Sequence, residues 1–158
     1  MARPGSLQRE IRQRRPFTSP AHEAVVGLLR TTDLVRRRLA AVVEPHGITL
    51  QQYNVLRILR GAGDEGLPTL EVAARMIEET PGITRLLDRL EAKALIRRQR
   101  CPKDRRQHLC WITAQGRALT DGLDAPMGRA NEEALRELAG RDRVKLVRLL
   151  DGVRAAHR

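Results

Sequence analysis

Basic side chains crowd one segment of this chain. Between Thr80 and Arg106 stand Arg85, Arg89, Lys93, Arg97, Arg98, Arg100, Lys103, Arg105 and Arg106, against Asp88, Glu91 and Asp104; nine minus three leaves +6 in that stretch. Charge of this density suits a polyanion, because each cation that meets a phosphate releases a condensed counterion. The order Thr80-Pro81-Gly82-Ile83-Thr84-Arg85 reads as a helix start. Thr80 is the cap, and Pro81 takes the first helical position, where no N–H is needed. Pro81 and Gly82 are compact enough to let that start approach a phosphate or a base closely, and a helix N-terminus itself attracts phosphate. Thr80, Thr84, Arg85 and Arg89 fall on the exposed face, where side chains reach base edges in a major groove. Lys103, Arg105 and Arg106 lie in a polar turn, placed to enter the adjacent minor groove, where negative potential is focused. Asp104 has the wrong sign for phosphate and is expected to pair with an arginine and hold the turn's shape. Asp88 and Glu91 are expected to form surface pairs with Arg85 and Arg89.

Other reactive side chains are sparse. Cys101 and Cys110 sit on opposite strands of the same hairpin. By alternation Cys110 shares a face with Ile112 and replaces an inward aliphatic residue. Cys101, near Arg100 and Lys103, is the better candidate for a redox sensor. His22, His46, His108 and His157 are scattered, and none pairs with a cysteine at zinc-ligand spacing, so no metal is expected. There is no glycine-rich phosphate loop, HExxH motif or nucleophile–base pair, so neither an enzyme nor a cofactor is indicated. Tyr53 and His46 are candidates for a ligand pocket between a reading head and its supporting arms. The plainer reading of Tyr53 is a core residue with its hydroxyl at the edge.

The elements that must carry these residues are mostly helical. Residues 21 to 43 place Val25, Leu28, Leu29, Val35, Leu39, Val42 and Val43 near a three-four spacing. Pro45 and Gly47 stop that helix. Thr49 caps a helix over Leu50 to Arg60, and Thr69 caps a short one over Leu70 to Ile77. A turn at Glu78 and Glu79 leads into the helix from Thr80 to Ala94. Leu95 to Cys101 and Gln107 to Thr113 read as two strands of a β-hairpin. Thr113 caps a further helix, in which Pro126 predicts a kink or break. A last helix runs from Arg141 to about Ala156. Two helices, a tight turn and a basic hairpin are the winged-helix order.

Composition agrees. The 158 residues are 41% hydrophobic but only 2% aromatic, namely Phe17, Tyr53 and Trp111. The core must be built from Leu, Val, Ile and Ala, which suits helix packing. The same scarcity disfavours RNA, whose bases are held by aromatic stacking. The formal net charge is +11 and the isoelectric point about 11.3. No apolar run approaches ~18 residues and no secretory signal is visible, so a cytoplasmic protein with no membrane partner is expected.

The run PTLEVAARMIEETPGITRLLDRLEAKALIRRQRCPKDRRQHLCWITAQG, together with GITLQQYNVLRIL before it, resembles the MarR family of bacterial transcription regulators. Its most specific part is the Asp104-Arg105-Arg106 wing signature. The resemblance spans about Ala21 to Ala155. It implies a mainly α fold with a small β-hairpin wing: a winged helix-turn-helix with N- and C-terminal dimerisation helices. On that plan residues 1–20 form a basic, partly disordered arm and 21–48 the first dimerisation helix. Residues 49–113 form the DNA-binding head, with recognition helix 80–94 and wing 95–113. Residues 114–158 form the C-terminal dimerisation helices. The resemblance further implies a homodimer on a pseudo-palindromic double-stranded DNA operator, acting as a repressor and released by a small lipophilic or phenolic effector. The apolar rows of residues 25–43 and 144–153 support dimerisation independently, since patches of that size mark interfaces. The alternatives are a non-specific architectural DNA-binding protein and a redox-responsive regulator using Cys101. Three places depart from the family pattern: Ala94 stands where a glycine usually ends the recognition helix, Pro126 interrupts the long dimer helix, and the N-terminal arm is long.

Overall fold

The computed structural model describes residues 6–79, 81–101 and 107–157. Thr80 and the hairpin tip that carries Lys103, Asp104, Arg105 and Arg106 lie outside the described residues. The chain forms two compact units, the first ending at Arg38 and the second beginning at Leu39.

The first unit is a pair of helices. A short α1, Ser6–Glu10, precedes α2, Pro20–Val43, most of which belongs to this unit. Proline opens α2 where its missing N–H costs nothing, and the Ser19 hydroxyl accepts from the His22 amide at 3.1 Å. Leu7 packs over Gly27, its Cδ2 atom 3.4 Å from where a Cβ would stand. Glu10 pairs with Arg30 at 2.8 Å. Val25, Leu28, Leu29 and Leu34 are exposed along α2.

In the second unit α2 gives way to a 3-10 turn at Glu44–His46. Thr49 then caps α3, Leu50–Gly61, with a full capping box: its hydroxyl accepts from the Gln52 amide while the Gln52 side chain accepts from the Thr49 amide. A two-residue strand β1, Leu67–Pro68, leads directly into α4, Thr69–Ala74. The sequence suggests a longer helix capped by Thr69. Instead Thr69 is the first helical residue, and its hydroxyl donates to the His108 carbonyl at 3.3 Å. Next come α5, Ile83–Ala92, and the hairpin strands β2, Ile96–Arg100, and β3, His108–Ile112.

The sheet is antiparallel in the order β1-β3-β2. Leu67 pairs with Cys110, and Ile96 with Ile112. The hairpin expected from the sequence is present, and β1 is a third strand that the sequence does not announce. The core unites Val55, Leu56 and Leu59 of α3, Val72 of α4, Leu87 and Leu90 of α5, and Ile96, Cys110 and Ile112 of the sheet. Apart from Tyr53 and Met127, the large side chains of this core are aliphatic, as the composition requires.

Thr113 caps α6, Ala114–Ala134, by accepting from the Gly116 amide at 3.0 Å. Gly116 is required by space: a Cβ there would stand 2.1 Å from the Leu95 carbonyl oxygen. Of the kink or break expected at Pro126, the break does not occur, and α6 runs through it. Leu123 and Met127, buried on either side of the proline, hold the helix against the core. Burying two such side chains, about 1.5–3 kcal/mol each, offsets the roughly 3 kcal/mol that an internal proline costs. The final helix α7, Gly140–Ala155, leaves Val144, Val147, Leu149 and Val153 exposed.

Candidate nucleic-acid interface

Helix α5 has two faces. Leu86, Leu87 and Leu90 are buried, while Thr84, Arg85 and Arg89 point outward. Pro81 and Gly82 are exposed too, but they belong to the preceding turn rather than to the helix. Gly82, at φ 87°, is the residue from which α5 starts, with no side-chain cap. The helix therefore opens at Ile83, two residues after Pro81, the first helical position that the sequence suggests. Pro-Gly is the residue pair of a tight turn whose second member needs a positive φ. Gly82 has no side chain to cap the first-turn amides, for which a phosphate oxygen is a fitting acceptor.

The other end of α5 is closed. The Leu95 amide donates to the Leu90 carbonyl at 3.0 Å and the Ala94 amide to Glu91 at 2.8 Å, the paired bonds of a Schellman stop. Ala94 takes the left-handed residue, φ 54°, where the family pattern has glycine. Helix α5 thus spans Ile83–Ala92, within the 80–94 expected for a recognition helix. Lys93 donates to the Gly47 carbonyl, tying the end of α5 to the turn after α2. The Thr113 hydroxyl donates to the Ala94 carbonyl at 2.7 Å, so the same stop also fixes the base of the hairpin.

The acids of α5 do not pair with Arg85 and Arg89 as expected. Both turn to Arg98 on β2. Glu91 accepts the Arg98 amide at 3.0 Å and its guanidinium at 2.9 and 2.6 Å, and Asp88 accepts the guanidinium at 2.5 Å. Burial opposes the charge on Arg98, but the bonds to Glu91 and Asp88 outweigh it and leave its pKa above the usual arginine value. On the opposite face of β2, Arg97 stacks over Trp111, its guanidinium carbon 4.2 Å from the ring centroid. The Trp111 ring N–H donates to the Asp64 carbonyl at 3.0 Å, joining β3 to the loop after α3.

A second charged cluster lies on α3 and α6. Arg60 donates to Asp124 at 2.8 and 2.9 Å and to Asp121 at 2.7 Å. Its pKa is raised by the bonds to Asp124 and then Asp121, while the bond from Arg60 holds the Asp124 carboxyl below its usual range.

Cys110 is fully buried, and burial raises its pKa, as suits a thiol that replaces an inward aliphatic side chain. Cys101 is half-buried. Cys110 sits opposite Arg98, and the Cys101 amide bonds to the Gln107 carbonyl. The two thiols are thus three ladder positions apart, about 10 Å at a strand rise of about 3.4 Å, which is beyond disulfide reach. Among the described residues no cluster of His, Cys, Asp or Glu could hold a metal ion, and no helix is long and apolar enough to cross a membrane.

Residues 46–107 match the model of the MarR family. The crystal structure of a MarR transcription factor from Planctomyces limnophilus is 36% identical, covering 85% of this chain and 98% of that one, with a TM-score of 0.68. The chain belongs to the MarR family. It is also similar to the HTH-type transcriptional regulator TtmR of Methylorubrum extorquens, 35% identical over 56% of this chain and 44% of that one, so the match spans less than half of that regulator's length. The crystal structure of the S. aureus MepR–DNA complex shares the fold, with a TM-score of 0.74 at 21% identity, over 82% of this chain and 95% of that one. The architecture is accordingly a winged helix, mainly α with a small β sheet.

Within this MarR-family chain, the two residues expected at a ligand pocket part company. His46 lines an open cavity of about 440 Å³ together with Gly47, Lys93, Leu95, Gln115 and Leu119. Tyr53 does not line it. It is buried in the core, and burial raises its pKa.

Proposed function

We propose that this protein is a transcription regulator that reads double-stranded DNA through α5, with Thr84, Arg85 and Arg89 toward the base edges and Lys103, Arg105 and Arg106 on phosphate. The observation that carries this reading is the division of α5: its leucines are buried while Thr84, Arg85 and Arg89 stand free of the core beside an N-terminus that opens at Gly82. The chain's +11 charge supplies the attraction that binding to a duplex needs. A duplex enriched from a randomised pool by the wild-type protein tests it. Arg85→Ala should relax base preference at one position, and Arg106→Ala should weaken binding to all duplexes and flatten the salt dependence by about one phosphate contact. Unchanged affinity and slope for Arg106→Ala would remove the wing from the interface.

The functional unit is a homodimer that acts as a repressor in the cytoplasm. The exposed aliphatic rows of α2 and α7 supply the contact surface, and two heads then meet half-sites about one helical turn, roughly 10 bp, apart. The cavity at His46 is the effector site. Its polar groups, on His46, Lys93 and Gln115, share the lining with Leu95 and Leu119, which suits a small lipophilic molecule carrying a phenol or another polar end. Lys93 gives such a ligand a route to the recognition helix, since that side chain ends α5 and bonds to Gly47. Titration of candidate phenols against the protein–duplex complex, with Lys93→Ala as control, checks the site.

A further inference from the structure

Strand alternation puts Ile96, Arg98 and Arg100 on one face of β2 and Arg97 and Gln99 on the other. Ile96 is buried in the core, so Arg98 follows it on the inward side, and its side chain is only 18% exposed. An arginine in that position is costly to desolvate unless its donors are satisfied. They are satisfied by Glu91 and Asp88, one turn apart on α5, and the Arg98 backbone amide adds a further bond to Glu91. Three side chains thus form one clamp between the exposed flank of α5 and the hairpin. Asp88 and Glu91 would otherwise bring negative charge beside a helix that faces phosphate.

We propose that Arg98 is a positioning residue for base reading, fixing the angle at which α5 presents Thr84 and Arg85 relative to the wing, and that it does not itself contact DNA. The proposal rests on α5 being the base-reading helix. It assigns Asp88 and Glu91 a specificity role that their charge alone would not suggest. Removing two acids from a DNA-facing helix should strengthen binding on electrostatic grounds. Releasing the clamp should weaken binding only where register matters.

The two effects separate in one experiment. The full-length Asp88→Asn/Glu91→Gln and Arg98→Lys proteins are titrated against the duplex enriched by the wild type and against random duplex of equal length, over a range of salt. For the acid-pair variant, random duplex should bind as tightly as before or more tightly, while the selected duplex loses about tenfold, a typical cost of one misplaced base contact. Arg98→Lys keeps the charge but not the forked geometry. It should show a similar loss of preference with an unchanged salt slope. A parallel gain on both duplexes would show that the acids act only through charge and would overturn the proposal. So would an Arg98→Gln variant whose salt slope falls by about one contact, since that marks a phosphate ligand. Thr84→Ala and Arg85→Ala are measured alongside. If they leave base preference intact, the base-reading function of α5 fails, whatever Arg98 does.

Discussion

Helices α5 and α7 carry similar aliphatic rows and come to opposite ends. In α5, Leu86, Leu87 and Leu90 are at most 8% exposed, whereas in α7 Val144, Val147, Leu149 and Val153 lie between 47% and 59%. The hydrophobic effect acts equally on both rows. The difference is the neighbourhood: α5 is closed in by α3, α4 and the sheet, while the α7 row stays open to solvent in this chain. A helical pattern of apolar residues therefore announces burial without saying by what. In the head the partner is the same chain. For α7 the partner is, in our proposal, a second copy.

The contrast can be broken most forcefully at its two ends. Leu149→Asp should abolish self-association in sedimentation velocity while the head keeps its helical circular dichroism, and Leu87→Ala should do the reverse, lowering stability by about 2–5 kcal/mol in a denaturant melt. An associated Leu149→Asp protein would place the interface elsewhere. The glycines sharpen the same comparison. Gly116→Ala should cost about 1–3 kcal/mol by overpacking against the Leu95 carbonyl. A methyl group on Gly152 of α7 would meet nothing within 4 Å, so Gly152→Ala should raise the stability of the unassociated chain by about 0.5–1 kcal/mol.

Smaller still is Ala94→Gly, which relieves the left-handed residue at the end of α5. A net gain of about 0.5–1 kcal/mol is expected, because the relief exceeds the added freedom of the unfolded chain. Thermal melts of the two proteins measure it. The mildest prediction concerns Asp124. Its folded pKa is depressed, so its contribution is complete above the unfolded aspartate value and is lost as pH falls through the lower folded value. Asp124→Asn should melt below wild type at neutral pH, and the gap should close as the solution is made more acid than about pH 4.

Much of the architecture is legible in the sequence because local signals and burial agree. Thr49 and Thr113 cap the helices that they precede, and alternation places Cys110 and Ile112 inward. What escapes depends on distant partners. β1 is two residues long and contains a proline, and it exists only because β3 lies beside it. The partners of Asp88 and Glu91 are hidden because helical spacing favours Arg85 and Arg89, whereas the strand brings an inward arginine within reach. Alternation along β2 holds that information, but counting charges conceals it. The start of α5 is misleading because Thr-Pro resembles a helix opening, and the Gly that follows marks the turn. Pro126 predicts a break only while its one missing bond is weighed without the burial that flanks it.

Trp111 is the chain's single tryptophan, stacked under Arg97 and bonded to the loop after α3. The molecule thus carries one fluorophore at the joint between hairpin and helices. Drawing Arg97 away toward a phosphate would strip a cation from the face of the indole. The emission excited at the tryptophan edge would then report that event without a label, and from a single place.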